Sequence, residues 1–193
     1  PSAHLIFIEE PEAHLHPQMQ EVFINQLNVA IQKLSSAYPA EDVWNVQFII
    51  TTHSSHVANA ACFDAVRYFY NQKDAVKSIR NTKVKDFKKG MQTISVTDKE
   101  FLHKYMTLTK CDLYFADKVI MVEGTTERLL MPRLRELVDK SLPEHQKLAS
   151  QYVTCIEAGG AHAHLFYPLL DFLELKTLVV TDLDSIKKVE KEN

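Results

Sequence analysis

Four carboxylates fall into two short clusters. Glu123 and Glu127 stand four residues apart, and Asp182 and Asp184 stand two apart. Each cluster follows an apolar run, Lys118-Val119-Ile120-Met121-Val122 and Thr177-Leu178-Val179-Val180-Thr181. Such short runs bounded by charge read as buried parallel strands. An i, i+2 pair on extended backbone points to one side. If the two strands are neighbours in a parallel sheet, all four carboxylates converge at its C-terminal edge, where such sheets place their sites. Clustered like charges repel unless a cation intervenes. Oxygen ligands of this kind suit Mg²⁺ or Mn²⁺ rather than zinc. Gly124 permits close backbone approach at the turn. The plain alternative is an acidic strand edge with no ligand.

A second constellation lies near the start. Leu5-Ile6-Phe7-Ile8 ends in Glu9-Glu10, and Val46-Gln47-Phe48-Ile49-Ile50-Thr51 ends in Thr52-His53. An apolar strand followed by two carboxylates is the Walker B arrangement. In it Glu9 holds the water shell of a Mg²⁺ ion and Glu10 polarises an attacking water. His53 supplies a hydrogen bond to a γ-phosphate. No GxxxxGK[ST] occurs in the sequence, which excludes a self-contained P-loop. Without such phosphate-cradling amides this chain is not expected to hold ATP tightly.

Helices and strands must position these groups. Pro17 opens a helix that ends before Pro39, with Met19, Val22, Phe23, Leu27, Ile31 and Leu34 on one face. Ser54 or Ser55 caps a short helix after the second strand. Val66–Tyr70 reads as an aromatic strand. Residues 71–100 read as a small hairpin region or connector, with Thr93-Ile94-Ser95-Val96 as a β-type piece. A helix from about Thr126 to Lys140 turns Leu129, Leu130, Leu134, Leu137 and Val138 inward. Tyr152–Ile156 is a strand ending in Glu157-Ala158-Gly159-Gly160, followed by a helix from about Ala161 to Leu173. Strands alternating with helices predict an α/β architecture with parallel sheets.

The 193 residues are 46% hydrophobic and 24% charged, which excludes disorder throughout. No apolar stretch is long enough for a membrane helix, so no membrane partner is expected. The N-terminus is no signal peptide. It lacks Met and enters almost at once into an apolar run, which predicts a start inside a longer protein. Cys62, Cys111 and Cys155 are scattered without CxxC, so neither a disulfide framework nor a zinc site is expected, and a cytoplasmic setting is. The net charge of -3 conceals a basic block. Residues 71–110 hold ten Lys or Arg against four Asp or Glu, or +6, and the remainder carries 12 minus 21, or -9. Lys83, Lys85, Lys88 and Lys89 lie in that block. A basic stripe beside acidic clusters suits a metal-dependent nucleic-acid enzyme, and equally a solvated face. Tyr68, Phe69 and Tyr70 could stack on bases, but strand positions of this kind more commonly serve core and surface.

Two motif sets carry a family resemblance. Glu9-Glu10-Pro11-Glu12-Ala13-His14-Leu15-His16-Pro17 resembles the Walker B and D-loop of ABC-type ATPases related to SMC and RecF proteins, with Glu9 where Asp is common. Ile49-Ile50-Thr51-Thr52-His53-Ser54 resembles their switch-histidine loop. Val122-Glu123-Gly124-Thr125-Thr126-Glu127 and Thr181-Asp182-Leu183-Asp184-Ser185 resemble the Toprim fold. The joined pair, with Glu157-Ala158-Gly159-Gly160-Ala161-His162-Ala163-His164, resembles the OLD (overcoming lysogenization defect) nucleases. That family includes the ATPase subunit of the Gabija defence system.

The resemblance implies an ATP-regulated, divalent-metal-dependent DNA endonuclease of phage defence. Glu123, Glu127, Asp182 and Asp184 would bind two ions, Mg²⁺ or Mn²⁺, with Glu123 and Asp182 central to catalysis and Ser185 beside them. Glu9, Glu10 and His53 would serve ATP and its Mg²⁺ in the complete protein. A homo-oligomer through the ATPase domain and a helicase-type partner are also implied. His14 and His16 would fall at a dimer interface. Apart from the resemblance, His162 and His164 could contact phosphate from the Gly-Gly turn, though histidines so placed more often serve a loop or cap. The expected order is the C-terminal part of an ABC/RecF-like ATPase sheet over 1–75, a basic connector over 76–115, and the first part of a Toprim domain over 116–193, with the rest beyond Asn193. Two other readings compete. One is a RecF-like ATP-gated DNA clamp whose Toprim is a docking platform. The other is a relative of Toprim primases or topoisomerases.

Overall fold

The computed structural model describes residues 3–37, 45–73, 80–109, 112–159 and 162–182. It divides into two compact units, Pro1–Phe115 and Ala116–Asn193. Among the described residues no helix is long and apolar enough to cross a membrane.

The first unit opens with β1 (Ala3–Glu9), α1 (Pro17–Ala37) and β2 (Asn45–Thr51). β1 and β2 pair in parallel, with Glu9 opposite Thr51. Both strands are only partly covered. Phe7 is 70% exposed and Leu5 also faces outward, so this apolar run is covered on one side only among the described residues. The inward face of α1 is also rotated from the expected stripe. Gln20 and Ile24 are buried, whereas Met19 and Val22 are exposed. The reason is polar: the Gln20 amide donates to the Leu15 carbonyl at 2.9 Å, and its oxygen accepts from the Ser54 hydroxyl at 2.5 Å. Leu34 lies outside the residues whose side chains are described.

Next come α2 (Ser55–Ala60), β3 (Arg67–Lys73), β4 (Arg80–Asp86), α3 (Phe87–Gly90) and α4 (Val96–Thr109). Ser54 caps α2 by accepting from the His56 amide. β3 and β4 form an antiparallel hairpin. The β-type reading of Thr93–Val96 is corrected. Ser95 caps α4, accepting from the Asp98 amide at 3.1 Å while its hydroxyl donates to the Asp98 carboxylate at 2.7 Å. That N-cap favours a helix in place of a strand. Leu102 and Met106, four residues apart on α4, are fully buried, as are Phe87 and Met91. Phe87 lies 5.7 Å from Phe63 and 5.5 Å from Tyr114 between ring centres. Within the span 76–115, the described residues thus form strand and helix and contribute much of this unit's buried apolar surface.

The second unit contains β5 (Lys118–Val122), α5 (Thr125–Asp139), β6 (Val153–Glu157), α6 (Ala163–Leu173) and β7 (Lys176–Val180). Its sheet is wholly parallel in the order β6-β5-β7. Central β5 is buried on both faces, which explains its unbroken apolar run, whereas β7, at the edge of the sheet among the described residues, leaves Leu178 and Val179 exposed and is not the buried strand expected. Ile120 and Val122 pack with Met131 of α5, and Val153, Cys155 and Val180 close around them. α6 buries Phe166, Leu169, Leu170 and Leu173, at helical spacing.

α5 sits the other way round from the sequence expectation. Leu129, 75% exposed, and Leu130, Leu134, Leu137 and Val138 all face outward. Met131, Arg135 and Asp139 occupy the inward line. Both polar side chains bond to the backbone of the neighbouring segment. Arg135 donates to the carbonyls of Val153 and Leu148 at 3.4 and 3.3 Å. Buried Asp139 accepts from the amides of Leu148 and Ala149 at 2.7 and 3.0 Å. These bonds anchor the C-terminal end of the helix whose N-terminus carries Glu127. Asp139→Ala orphans both amides and should cost about 2 kcal/mol of unfolding free energy by urea titration. Asp139→Asn, which keeps one acceptor, should cost less.

Candidate functional site

The parallel order β6-β5-β7 brings three strand ends to one edge. β5 leads into Glu123, β7 into Asp182, and β6 ends in Glu157. Val122 pairs with Val180 on one side and with Glu157 on the other. The Asp182 amide donates to Glu123 Oε2 at 3.0 Å. The strands of Glu123 and Asp182 are therefore neighbours, the condition on which convergence depended. Glu123 is half-buried and Asp182 exposed.

The backbone of Glu123 is held from the opposite side. Pairing with β6 continues past the strand ends, the Ala158 amide donating to Val122 O at 2.9 Å and the Gly159 amide to Glu123 O at 3.1 Å. Gly159 takes φ 65°, a left-handed conformation that glycine adopts without strain. Gly124 then caps α5. The Gly124 amide donates to Glu127 Oε2 at 2.9 Å, so Glu127 serves the first turn of its own helix. A Cβ on Gly124 would lie 3.1 Å from that same oxygen, which restricts the position. Thr125 Oγ1 donates to Glu157 Oε1 at 2.9 Å. His162 faces back into the loop, its Nδ1 2.9 Å from the Gly159 carbonyl oxygen, and His164 is exposed on α6.

Asp184 and Ser185 lie outside the described residues. Among the described residues no three His, Cys, Asp or Glu side chains are grouped so that they could hold a metal ion. The structure brings Glu123 and Asp182 together, and it engages one oxygen of Glu127 with Gly124. As a donor set, Glu123, Glu127 and Asp182 offer carboxylate oxygen alone, which fits a hard divalent cation and not zinc.

The first unit has a site of the same construction. β1 and β2 are parallel, and the Glu10 amide extends their pairing by donating to Thr51 O at 3.0 Å. Glu10 then takes φ 42°, a left-handed conformation uncommon for a residue with a side chain. That turn directs the chain into the short 3-10 segment Pro11–His14. Glu10 Oε1 comes within 3.2 Å of His53 Nε2, both side chains remaining well exposed. Glu9 closes β1 opposite Thr51. His14 and His16 are exposed.

Sequence reasoning gave Glu12 no role, yet it joins the two loops. Its Oε1 accepts from the His53 amide at 2.6 Å. Burial pushes the Glu12 carboxyl up, but the His53 amide bond, helped by Thr52 and the His53 ring, outweighs it and leaves the group lowered. The clue available in sequence was a carboxylate directly after Pro11 in a tight turn. Glu157 was likewise given no role, although it ends its strand as Glu123 follows its own.

On the hairpin, Tyr68 and Tyr70 stack at 6.4 Å between ring centres, and the Lys85 ammonium sits 4.9 Å from the Tyr70 ring centre. Phe69 points the other way and is exposed.

Comparison with known proteins agrees with both units. The family described as "Overcoming lysogenization defect protein-like, TOPRIM domain" matches residues 114–184. The family described as "AAA ATPase domain" matches residues 1–58. The chain is 35% identical over 189 residues to "Endonuclease GajA" of Bacillus cereus (strain HuB5-5), covering 93% of this chain and 26% of that protein. It is 28% identical over 195 residues to "Old nuclease" of Escherichia phage P2, covering 96% of this chain and 28% of that protein. The chain thus spans about a quarter of the length of these curated relatives. An ATPase-domain segment is thus followed by an OLD-like Toprim segment, and both relatives, named as nucleases, match across the two.

Proposed function

We propose that this chain carries the start of a Toprim nuclease centre and part of an ATPase site, within a divalent-metal-dependent DNA endonuclease regulated by ATP. The observation that carries the nuclease reading is the 3.0 Å contact from the Asp182 amide to Glu123. It holds the Glu123 carboxylate against the backbone of Asp182, on the segment that follows the neighbouring parallel strand. Two relatives named as nucleases support the same reading.

Glu123, Glu127, Asp182 and Asp184 would hold Mg²⁺ or Mn²⁺, as a pair of ions. When bound, such ions supply Lewis-acid stabilisation of charge on a phosphodiester and lower the pKa of water. Glu123 keeps its orientation through bonds at both its carbonyl and its carboxylate. Asp182, exposed at the edge, meets substrate from solvent.

In the ATPase half, Glu10 would orient and deprotonate the attacking water. Its neighbour His53 would hold the transferred phosphoryl group, and Glu9 the Mg²⁺ of ATP. Glu12 would fix the His53 loop through the backbone amide. A homo-oligomer, a helicase-type partner and a role in phage defence extend the same proposal.

Supercoiled plasmid and Mn²⁺ test the nuclease half in the intact protein. Glu123→Gln and Asp182→Asn should each abolish nicking while leaving the thermal midpoint within a few degrees of the parent. Nicking retained in both variants would remove the assignment. If calorimetry then shows no Mn²⁺ bound, the Toprim is a docking platform. For the ATPase half, Glu10→Gln should lower ATP turnover by about 100-fold or more, as expected for loss of a general base. Unchanged phosphate release would reject that role.

A further inference from the structure

Glu157 is not among the carboxylates assigned to metal, yet it ends the strand beside Glu123. Its half-buried carboxylate accepts from the exposed Thr125 hydroxyl at 2.9 Å. Thr125 is the first residue of α5, and Glu123 stands two residues before it. The Glu123 backbone is already tied to the β6 side by the Gly159 amide at 3.1 Å, and the turn then runs on into α5. Gly124 has no side chain to pack, and Glu127 bonds within its own helix end. The Thr125–Glu157 bond therefore ties the start of α5 to β6 across the sheet edge, on the side of β5 opposite Asp182.

We infer that Glu157 is a positioning residue which, through Thr125, fixes the strand-to-helix turn and thereby the placement of the Glu123 and Glu127 carboxylates for divalent metal. The inference rests on the nuclease reading above and deepens it. The engaged oxygen of Glu157 is turned to a hydroxyl donor, which is how an outer residue orients a ligand-bearing turn. Loss of such outer partners typically weakens metal binding or activity by about 10- to 100-fold. An acceptor of the same shape should suffice, because the bond needs an oxygen at Oε1 and not a negative charge.

The test is calorimetric Mn²⁺ titration of the intact protein, with the thermal midpoint measured in parallel. Glu157→Ala and Thr125→Ala should each weaken Mn²⁺ binding by about tenfold, and the double variant should be no worse than either alone. Glu157→Gln and Thr125→Ser, which restore the acceptor and the donor, should stay within about twofold of the parent. Because Thr125 is an exposed hydroxyl, Thr125→Ala keeps the test open if Glu157→Ala fails to fold. Unchanged Mn²⁺ affinity in Thr125→Ala overturns the inference. So does a Glu157→Gln variant as damaged as Glu157→Ala, which would make Glu157 a direct ligand through its charge. If Glu123→Gln itself leaves Mn²⁺ affinity unchanged, the nuclease reading fails and the inference falls with it. If Glu123→Gln abolishes binding while the Glu157 and Thr125 variants bind as the parent does, only the positioning role is lost.

Discussion

One hydrogen bond, from the Asp182 amide to the Glu123 carboxylate, states the constraint on which the second unit depends. Strands that run in parallel end at the same edge, so whatever follows them must share that edge. Here acidic residues stand at all three ends. β5 supplies Glu123, β7 supplies Asp182 and β6 supplies Glu157. Such a gathering of like charge is unfavourable by itself. The chain tempers it with donors. The Asp182 and Gly124 amides and the Thr125 hydroxyl each occupy one carboxylate oxygen. The result is a row of carboxylates held in a fixed arrangement.

The first unit applies the same principle with different chemistry. β1 and β2 also run in parallel, and their ends carry Glu9, Glu10 and His53. The left-handed turn at Glu10 and the Glu12 bond to the His53 amide bring carboxylate and imidazole together. The strain of that turn is offset by the bonds on either side of it. Each half of the chain thus uses strand ends to present chemistry and short polar turns to aim it.

Much of this was legible in the residues. Every strand ending in a candidate side chain was recognisable from a short apolar run closed by charge. The adjacency of β5 and β7 is a condition in the sequence reading, and the strand order β6-β5-β7 meets it. Helix faces were read less well, and for a physical reason. On α5 the leucines form the apolar stripe, yet Arg135 and Asp139 face inward, where they bond to carbonyls and amides at 148–153. On α1 the buried Gln20 answers the Leu15 carbonyl and Ser54 in the same way. Hydrophobic periodicity has no knowledge of such distant backbone groups. The α4 cap at Ser95 was overlooked because Thr93–Val96 is rich in β-branched residues, whereas the Ser95–Asp98 pair decides the local structure. Glu12 and Glu157 escaped notice because their partners lie 41 and 32 residues away.

The central claim is that the acidic edge of the β6-β5-β7 sheet is a seat for divalent metal. Anomalous diffraction from crystals of the intact protein soaked in Mn²⁺ addresses it most directly. The account predicts two anomalous peaks at this edge, at about 2.1–2.2 Å from carboxylate oxygens that include Glu123 and Asp182. An edge without density, or Mn²⁺ bound only at other carboxylates, would contradict it.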